Sequence, residues 1–106
     1  MTDKKNVIEL IKKLSHSKYP DSEVYLYGSR ARGDAKSDSD WDLLILLDEP
    51  NISFELETKI MDDYYELELE TGEVIAPLIY SKHDWTTSHT ISSLYQNVER
   101  ESIKLK

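Results

Sequence analysis

Cysteine is missing from this sequence, glycine and proline occur three times each, and 13 basic residues stand against 21 acidic ones. The lack of cysteine excludes disulfides and cysteine-ligated zinc, and it fits a reducing compartment. The composition, 39% hydrophobic and 32% charged, is typical of a folded protein rather than a disordered one. Because 106 residues suffice for one hydrophobic core, we expect residues 1–106 to form a single domain.

Long apolar runs are missing as well. No stretch approaches the roughly 18 apolar residues of a membrane span, and residues 1–14 are amphipathic rather than signal-like, so we expect a cytoplasmic protein without a membrane partner. The formal net charge of −8 repels phosphate backbones and argues against broad nucleic-acid binding. A phosphate ligand would therefore need a local basic pocket or metal ions.

Apolar periodicity predicts the elements of the first half of the chain. Residues 3–17 carry apolar side chains at helical spacing, which predicts an amphipathic helix. The segment EVYLYG, residues 23–28, predicts a strand that ends in a tight turn at Gly28. The run DLLILL, residues 42–47, is apolar after its first residue, which predicts a strand buried on both faces.

In the second half, Ser53 is expected to cap a helix with one apolar stripe, formed by Leu56, Ile60, Tyr64 and Leu67. The end of this helix is ambiguous, because YELELE also alternates as a strand would; we favour a helix that ends at Gly72. The segment VIAPLIY predicts a third strand, and its Pro77 favours an edge position or a bulge.

A last amphipathic helix is predicted from Ile91, Leu94, Tyr95 and Val98. The predicted order is helix, strand, strand, helix, strand, helix (αββαβα). This order indicates an α+β fold of α/β-like character, with a small mixed sheet flanked by helices.

The segment YGSRARGDAKSDSDWDLLILL, residues 27–47, carries the strongest functional signal. A Walker-type phosphate loop is excluded because Asp34 and Ala35 stand where that loop needs Lys and Ser/Thr. Asp38, Asp40 and Asp42 also match the first positions of an EF-hand. Position 6 of that loop is a leucine instead of glycine, however, and five apolar residues would be exposed, so a strand explains them better.

The same segment resembles the signature of the minimal nucleotidyltransferases, small members of the DNA polymerase β-like superfamily. That signature is Gly-Ser, ten residues, then Asp-x-Asp followed by apolar residues. Gly28 and Ser29 are followed by residues 30–39, then Asp40, Trp41 and Asp42, so the spacing fits without adjustment. The resemblance implies a polymerase β-like nucleotidyltransferase fold.

The resemblance also implies roles for these residues. Asp40 and Asp42, two apart on a strand, would share a face, bind one or two Mg²⁺ ions and act as the catalytic pair. Gly28 lets the backbone approach the triphosphate of ATP, and Ser29 can bind it.

Further contacts to the nucleotide are implied for two arginines and a serine, namely Arg30, Arg32 and Ser39. Structural alternatives remain open: a simple turn at Gly28, a helix cap at Ser29, and ion pairs of the arginines with Asp34 or Asp38. We expect Asp38 to be a solvated turn residue and Trp41 to lie in the core.

A third carboxylate, usual in active members of this family, is missing. The corresponding position is Ala76, and Glu70 or Glu73 are candidate replacements from the preceding turn. We expect this loss to weaken metal binding and activation of the acceptor hydroxyl more than nucleotide binding. A further prediction places Lys82 and His83 near the site, after the third strand.

The resemblance therefore implies Mg²⁺-dependent transfer of AMP from ATP to a hydroxyl group, with release of pyrophosphate. Because the chain has no room for a large acceptor domain, we expect a partner protein to supply the acceptor. In the resembled family that partner is often a HEPN-domain toxin, modified on tyrosine by its antitoxin. The alternative is a catalytically degenerate module that neutralises a partner by binding alone.

Overall fold

A computed structural model describes residues 4–88 and 90–106 of the chain. The elements are α1 (Lys4–Lys18), β1 (Glu23–Tyr27), α2 (Ser29–Arg32), β2 (Trp41–Leu47), α3 (Phe54–Thr71), β3 (Ile75–Ser81), α4 (Lys82–Ser88), α5 (Ser93–Glu101) and β4 (Ile103–Lys104). The predicted start of the first helix at residue 3 lies outside the described residues.

The four strands form one mixed sheet in the order β3-β2-β1-β4. β1 is antiparallel to β2 and β4, whereas β2 and β3 are parallel. The α+β class with a small mixed sheet is thus confirmed, and so is the edge position of the strand that contains Pro77. A proline is tolerated there because its missing N–H removes no hydrogen bond from the interior of the sheet.

Alternation along β2 divides the core between the two faces of the sheet. Trp41, Leu43, Ile45 and Leu47 belong to the cluster that α1 and α3 cover. Leu44 and Leu46 belong to a second cluster with Trp85 of α4 and Val98 of α5. The prediction that this strand is buried on both faces is therefore confirmed.

The ends of α3 follow from two local signals. The Ser53 side chain accepts a hydrogen bond from the Leu56 N–H (3.0 Å), and Gly72 takes a left-handed conformation with its N–H bonded to the Glu68 carbonyl at 2.9 Å. The apolar stripe of Ile60, Tyr64 and Leu67 is buried. The helical interpretation of YELELE is confirmed.

The C-terminal part differs from the prediction. α5 begins at Ser93 with Ser92 as its cap, so Ile91 precedes the helix and is 90% exposed rather than part of an apolar stripe. After α5 the chain returns as β4, which pairs with β1. The predicted order lacked α2, α4 and β4, because elements of four, seven and two residues are too short for periodicity to reveal.

In the described part of the chain, no helix is both long enough and apolar enough to cross a membrane.

Candidate functional site

The aspartate pair lies where the chain enters β2. The alternation that buries Trp41 completely against α1 and α3 sends Asp42 to the opposite face, where it is half-buried. Asp40 precedes the strand and is exposed. Burial raises the pKa of the Asp42 carboxyl, the charges of Asp40 and Glu101 raise it further, and Arg32 opposes them. Two carboxylates are thus held close together at a solvent-accessible edge.

Gly28 lies directly against the Asp42 carboxylate. Tyr27, the residue before it, is paired with Asp42 in the antiparallel register of β1 and β2. Gly28 has φ +77° and ψ −159°, a backbone region that is essentially restricted to glycine. A Cβ atom at this position would lie 2.4 Å from Asp42 Oδ2. The backbone conformation therefore favours glycine, and any side chain at this position would displace the Asp42 carboxylate.

Ser29 begins α2, the single helical turn that follows Gly28. The N–H groups of Ala31 and Arg32 donate to the Gly28 carbonyl, both at 3.0 Å, and this turn brings Ser29 and Arg32 back beside the end of β1. The glycine, the serine and one of the two arginines predicted at the site are thus assembled by local backbone hydrogen bonds.

Arg30 points away from this group and supports the turn before Asp40. Its Nη2 donates to the Ser39 carbonyl (2.9 Å), and its guanidinium carbon lies 4.5 Å from the centre of the Trp41 ring. The Ser39 hydroxyl accepts a hydrogen bond from the Lys36 N–H at 2.8 Å. Arg30 and Ser39, both predicted to contact nucleotide, are engaged in shaping the loop that carries Asp40.

Arg32 takes part in a network that the sequence did not reveal. Its Nε donates to Asp34 Oδ2 (3.2 Å), which agrees with one of the structural alternatives, and its Nη1 lies 3.2 Å from both carboxylate oxygens of Glu101. Glu101 Oε1 also accepts a hydrogen bond from the Gly28 N–H at 3.3 Å. A third carboxylate is therefore present at the site, and it comes from the end of α5.

The register of β4 explains this placement. Because Ile103 pairs with Leu26 in an antiparallel ladder, residue 101 must fall beside Gly28 at the end of β1. One feature of Glu101 is visible in the sequence, although it does not give the place of this residue beside Gly28. It is an acidic residue at a helix C-terminus, where the helix dipole disfavours negative charge unless a cation lies nearby.

On the other side of Asp42, the parallel register places Ala76 of β3 next to it. The position expected to lack a carboxylate is thus adjacent to the aspartate pair. Glu73 lies with its Oε2 3.9 Å from Arg30 Nη2, and Glu70 lines a groove between α1 and α3. Among residues 4–88 and 90–106, no group of three or more Asp, Glu or His side chains is arranged to hold a metal ion.

Lys82 and the adjacent His83 lie far from the aspartate pair, and the prediction that placed them near the site was wrong. The Lys82 Nζ is 3.0 Å from Glu23 Oε2, and Glu23 is paired with Leu46, at the opposite end of the sheet from the Tyr27–Asp42 pair. Because β3 runs parallel to β2, its C-terminal end is carried away from Asp42.

Comparison with known proteins gives one family match and several solved structures of similar fold. The family model described as nucleotidyltransferase domain matches residues 7–103. A solved toxin-antitoxin complex with AMP-PNP is similar with a TM-score of 0.69 and 19% identity, over 93% of this chain and 72% of that chain. The toxin-antitoxin complex MntA-HepT is similar with a TM-score of 0.64 and 16% identity, over 97% of this chain and 72% of that chain.

At such identities the structural likeness shows the fold, and the expected polymerase β-like nucleotidyltransferase architecture is confirmed by the family match and the mixed sheet. No curated protein matches the sequence significantly.

Proposed function

The chain belongs to the nucleotidyltransferase domain family, and from this premise we propose that it transfers AMP from ATP to a hydroxyl group of a partner protein. In this reaction the acceptor oxygen bonds to the α-phosphorus of ATP, and the bond from that phosphorus to the bridging oxygen of pyrophosphate breaks. The hydroxyl proton passes to solvent, and pyrophosphate leaves. The observation that carries the proposal is the close approach of Gly28 to the Asp42 carboxylate, since no side chain separates the backbone of residue 28 from that aspartate.

The β1 side of the site offers donors to phosphate oxygens. The Gly28 N–H and the Arg32 guanidinium converge on one point, since both donate to the same carboxylate in the structure. We assign the triphosphate to these donors and to the Ser29 hydroxyl. Arg30 and Ser39 act indirectly, because they stabilise the turn that carries Asp40.

Asp40 and Asp42 fit Mg²⁺, which prefers oxygen ligands and commonly takes one or two protein carboxylates together with substrate phosphates and water. When bound, Mg²⁺ would offset the negative charge of the triphosphate and stabilise charge on the leaving group. Because Asp42 lies against Gly28, these carboxylates would hold the ion beside the backbone to which we assign the triphosphate. Burial and then the charge of Asp40 raise the pKa of Asp42, and a bound cation would stabilise the ionised form of this carboxyl.

The partner is proposed from the solved structures of similar fold. Both are toxin-antitoxin complexes, one of them with AMP-PNP. We propose that this chain is the antitoxin of such a pair in the cytoplasm, and that a tyrosine of a HEPN-type toxin is the acceptor. Ala76 supplies no base beside Asp42, so activation of the acceptor hydroxyl falls to the partner or to solvent.

The test is transfer of label from [α-³²P]ATP, with Mg²⁺, to the protein encoded by the gene next to that of this chain. We expect Asp40→Asn and Asp42→Asn each to reduce labelling by about a hundredfold or more. Asp38→Asn is the matched control, because Asp38 is exposed and lies in the same turn. Labelling that survives both site substitutions would refute the proposed chemistry.

A second candidate function, neutralisation by binding alone, is favoured by the outer face of α3. Four large apolar side chains are exposed there, with exposed fractions from 42% to 82%: Phe54, Met61, Tyr65 and Leu69. The last three recur every fourth residue on one helical face. Exposed carboxylates at positions 57, 62 and 66 border this face, which suits a partner surface that is apolar at its centre and basic at its rim.

Toxicity assays in cells separate the two functions. Binding alone predicts that the doubly substituted Asp40→Asn, Asp42→Asn chain still neutralises its partner, whereas Tyr65→Asp and Leu69→Lys abolish neutralisation. Catalysis predicts loss of neutralisation in the double aspartate variant.

A further inference from the structure

Glu101 holds the donors that the proposed nucleotide site offers to phosphate. Its Oε1 accepts from the Gly28 N–H at 3.3 Å, and both its oxygens lie 3.2 Å from Arg32 Nη1. The Glu101 side chain is only 13% exposed. A carboxylate with two converging oxygens thus lies where an anionic phosphate would receive the same hydrogen bonds.

This carboxylate reaches the site from a separate element. α2 and Gly28 belong to the β1–β2 connection, whereas Glu101 is the last residue of α5 and is carried there by the pairing of β4 with β1. The Ser102 N–H closes the helix on the Val98 carbonyl at 2.9 Å, which fixes the position of the Glu101 backbone. The contact is therefore set by tertiary structure and not by the phosphate loop itself.

Glu101 accepts hydrogen bonds from the Gly28 N–H and from Arg32 Nη1. It stands at a helix C-terminus, and its charge is one of those that raise the pKa of Asp42. Arg32 and the Gly28 N–H offset this repulsion. If a triphosphate accepted hydrogen bonds from these two donors, Glu101 would lie beside the phosphates and the aspartates without either donor. Electrostatic repulsion therefore prevents Glu101 and the triphosphate from occupying this place together.

We propose that Glu101 is an intramolecular competitor of the nucleotide: it occupies the Gly28 and Arg32 donors in the free chain, and ATP must displace it to bind. This inference rests on the proposed nucleotide binding. It implies that the affinity for nucleotide is set by the anchoring of α5 and β4 as well as by the phosphate loop, which would link nucleotide binding to the C-terminal segment.

The test is the dissociation constant of AMP-PNP with Mg²⁺, measured by calorimetry on the full chain. Glu101→Gln keeps the shape of the side chain but removes its charge, and we expect it to bind AMP-PNP about tenfold more tightly. Glu99→Gln removes the same charge from an exposed position of the same helix and should leave the affinity within about twofold of the natural chain.

A second variant distinguishes occupation of the two donors by Glu101 from electrostatic repulsion between Glu101 and the nucleotide. Glu101→Asp keeps the charge but is one methylene shorter, so it cannot keep contacts of 3.2–3.3 Å to both donors; it should also bind more tightly than the natural chain. If Glu101→Asp behaves as the natural chain while Glu101→Gln binds tightly, the occupancy model is overturned. Thermal melting by circular dichroism checks that each variant is folded.

Other outcomes are equally decisive. If the natural chain binds AMP-PNP and Glu101→Gln binds with equal or lower affinity, the competitor role is refuted while nucleotide binding stands. If neither the natural chain nor Glu101→Gln binds at millimolar nucleotide, the proposed function fails, and this inference with it. Binding by Glu101→Gln alone would support both.

Discussion

The two sides of Asp42 differ sharply. Toward β1 the aspartate faces Gly28, whose backbone conformation only glycine tolerates, and beyond it Arg32 and Glu101 in one hydrogen-bonded network. Toward β3 its neighbour is Ala76, a methyl group. One strand thus separates a side rich in donors and charge from a side with no functional group next to Asp42.

This difference indicates which part of the proposed reaction each side of Asp42 could serve. Binding of a triphosphate needs backbone amides, a guanidinium and a carboxylate pair, and all of these lie on or next to the β1 side. Activation of an acceptor hydroxyl needs a base near the attacking oxygen, and the β3 side offers none. If the proposed function holds, this difference predicts that the chain binds nucleotide better than it catalyses transfer, and the following substitutions test each side separately.

Gly28→Ala should have the largest effect, because it disrupts the packing of residue 28 against Asp42 on the β1 side. The new Cβ would lie 2.4 Å from Asp42 Oδ2 and would force that carboxylate to move, and the backbone strain costs about 1–3 kcal/mol. We expect loss of AMP-PNP binding by a hundredfold or more in calorimetry. Gly72→Ala is the control: it has φ +74° but no atom within 4 Å, so it should lower stability and leave binding intact. Equal AMP-PNP affinity of the two variants would contradict the assignment of Gly28 to the nucleotide site.

Arg30→Met tests the support of the loop that carries Asp40. It removes the hydrogen bond to the Ser39 carbonyl and the contact with the Trp41 ring, and the Arg30 side chain is only 11% exposed. We expect the free energy of unfolding to fall by about 2 kcal/mol in urea denaturation, since hydrogen bonds from charged groups are worth about 1.5–3 kcal/mol. Arg100→Met, at an exposed position, should change it by less than about 0.5 kcal/mol. Similar losses in both would show that Arg30 is not a structural support.

Ala76→Asp restores a carboxylate on the β3 side. Because paired residues of parallel strands share a face, its side chain would project beside Asp42. We expect transfer of labelled AMP to rise about tenfold, which is less than the roughly hundredfold that a fully positioned general base supplies. Ala76→Asn, of the same shape without the charge, should not increase transfer. No gain with aspartate would indicate that the acceptor is activated elsewhere.

The β1 side could largely be predicted from the sequence, because its parts are close in the chain. Gly28, Ser29 and Asp42 follow one another within a local strand–turn–strand unit, and alternation alone places Asp42 opposite Trp41. The helix α3 was predictable for the same reason, with its cap at Ser53 and its end at Gly72.

Glu101 could not be predicted, since its place depends on a two-residue strand about 75 positions after Gly28 in the chain. β4 is too short to show alternation, and the register that aligns it with β1 is set only in the folded state. Likewise, sequence could name Arg30 and Arg32 as candidates but could not tell which would turn toward Trp41 and which toward the carboxylates.

Substitution of Glu73 should have the smallest effect of these variants, and it tests whether the β3 side of Asp42 takes part in the reaction. Glu73 was a candidate to replace the missing carboxylate, but its Oε2 lies 3.9 Å from Arg30 Nη2, the guanidinium that supports the turn before Asp40. Since an ion pair at this distance contributes little, Glu73→Gln should change AMP transfer and AMP-PNP affinity by less than about twofold. A tenfold loss of transfer with unchanged affinity would show that Glu73 reaches the reacting groups when nucleotide is bound. The β3 side would then contain a base that rearrangement of the loop brings to Asp42.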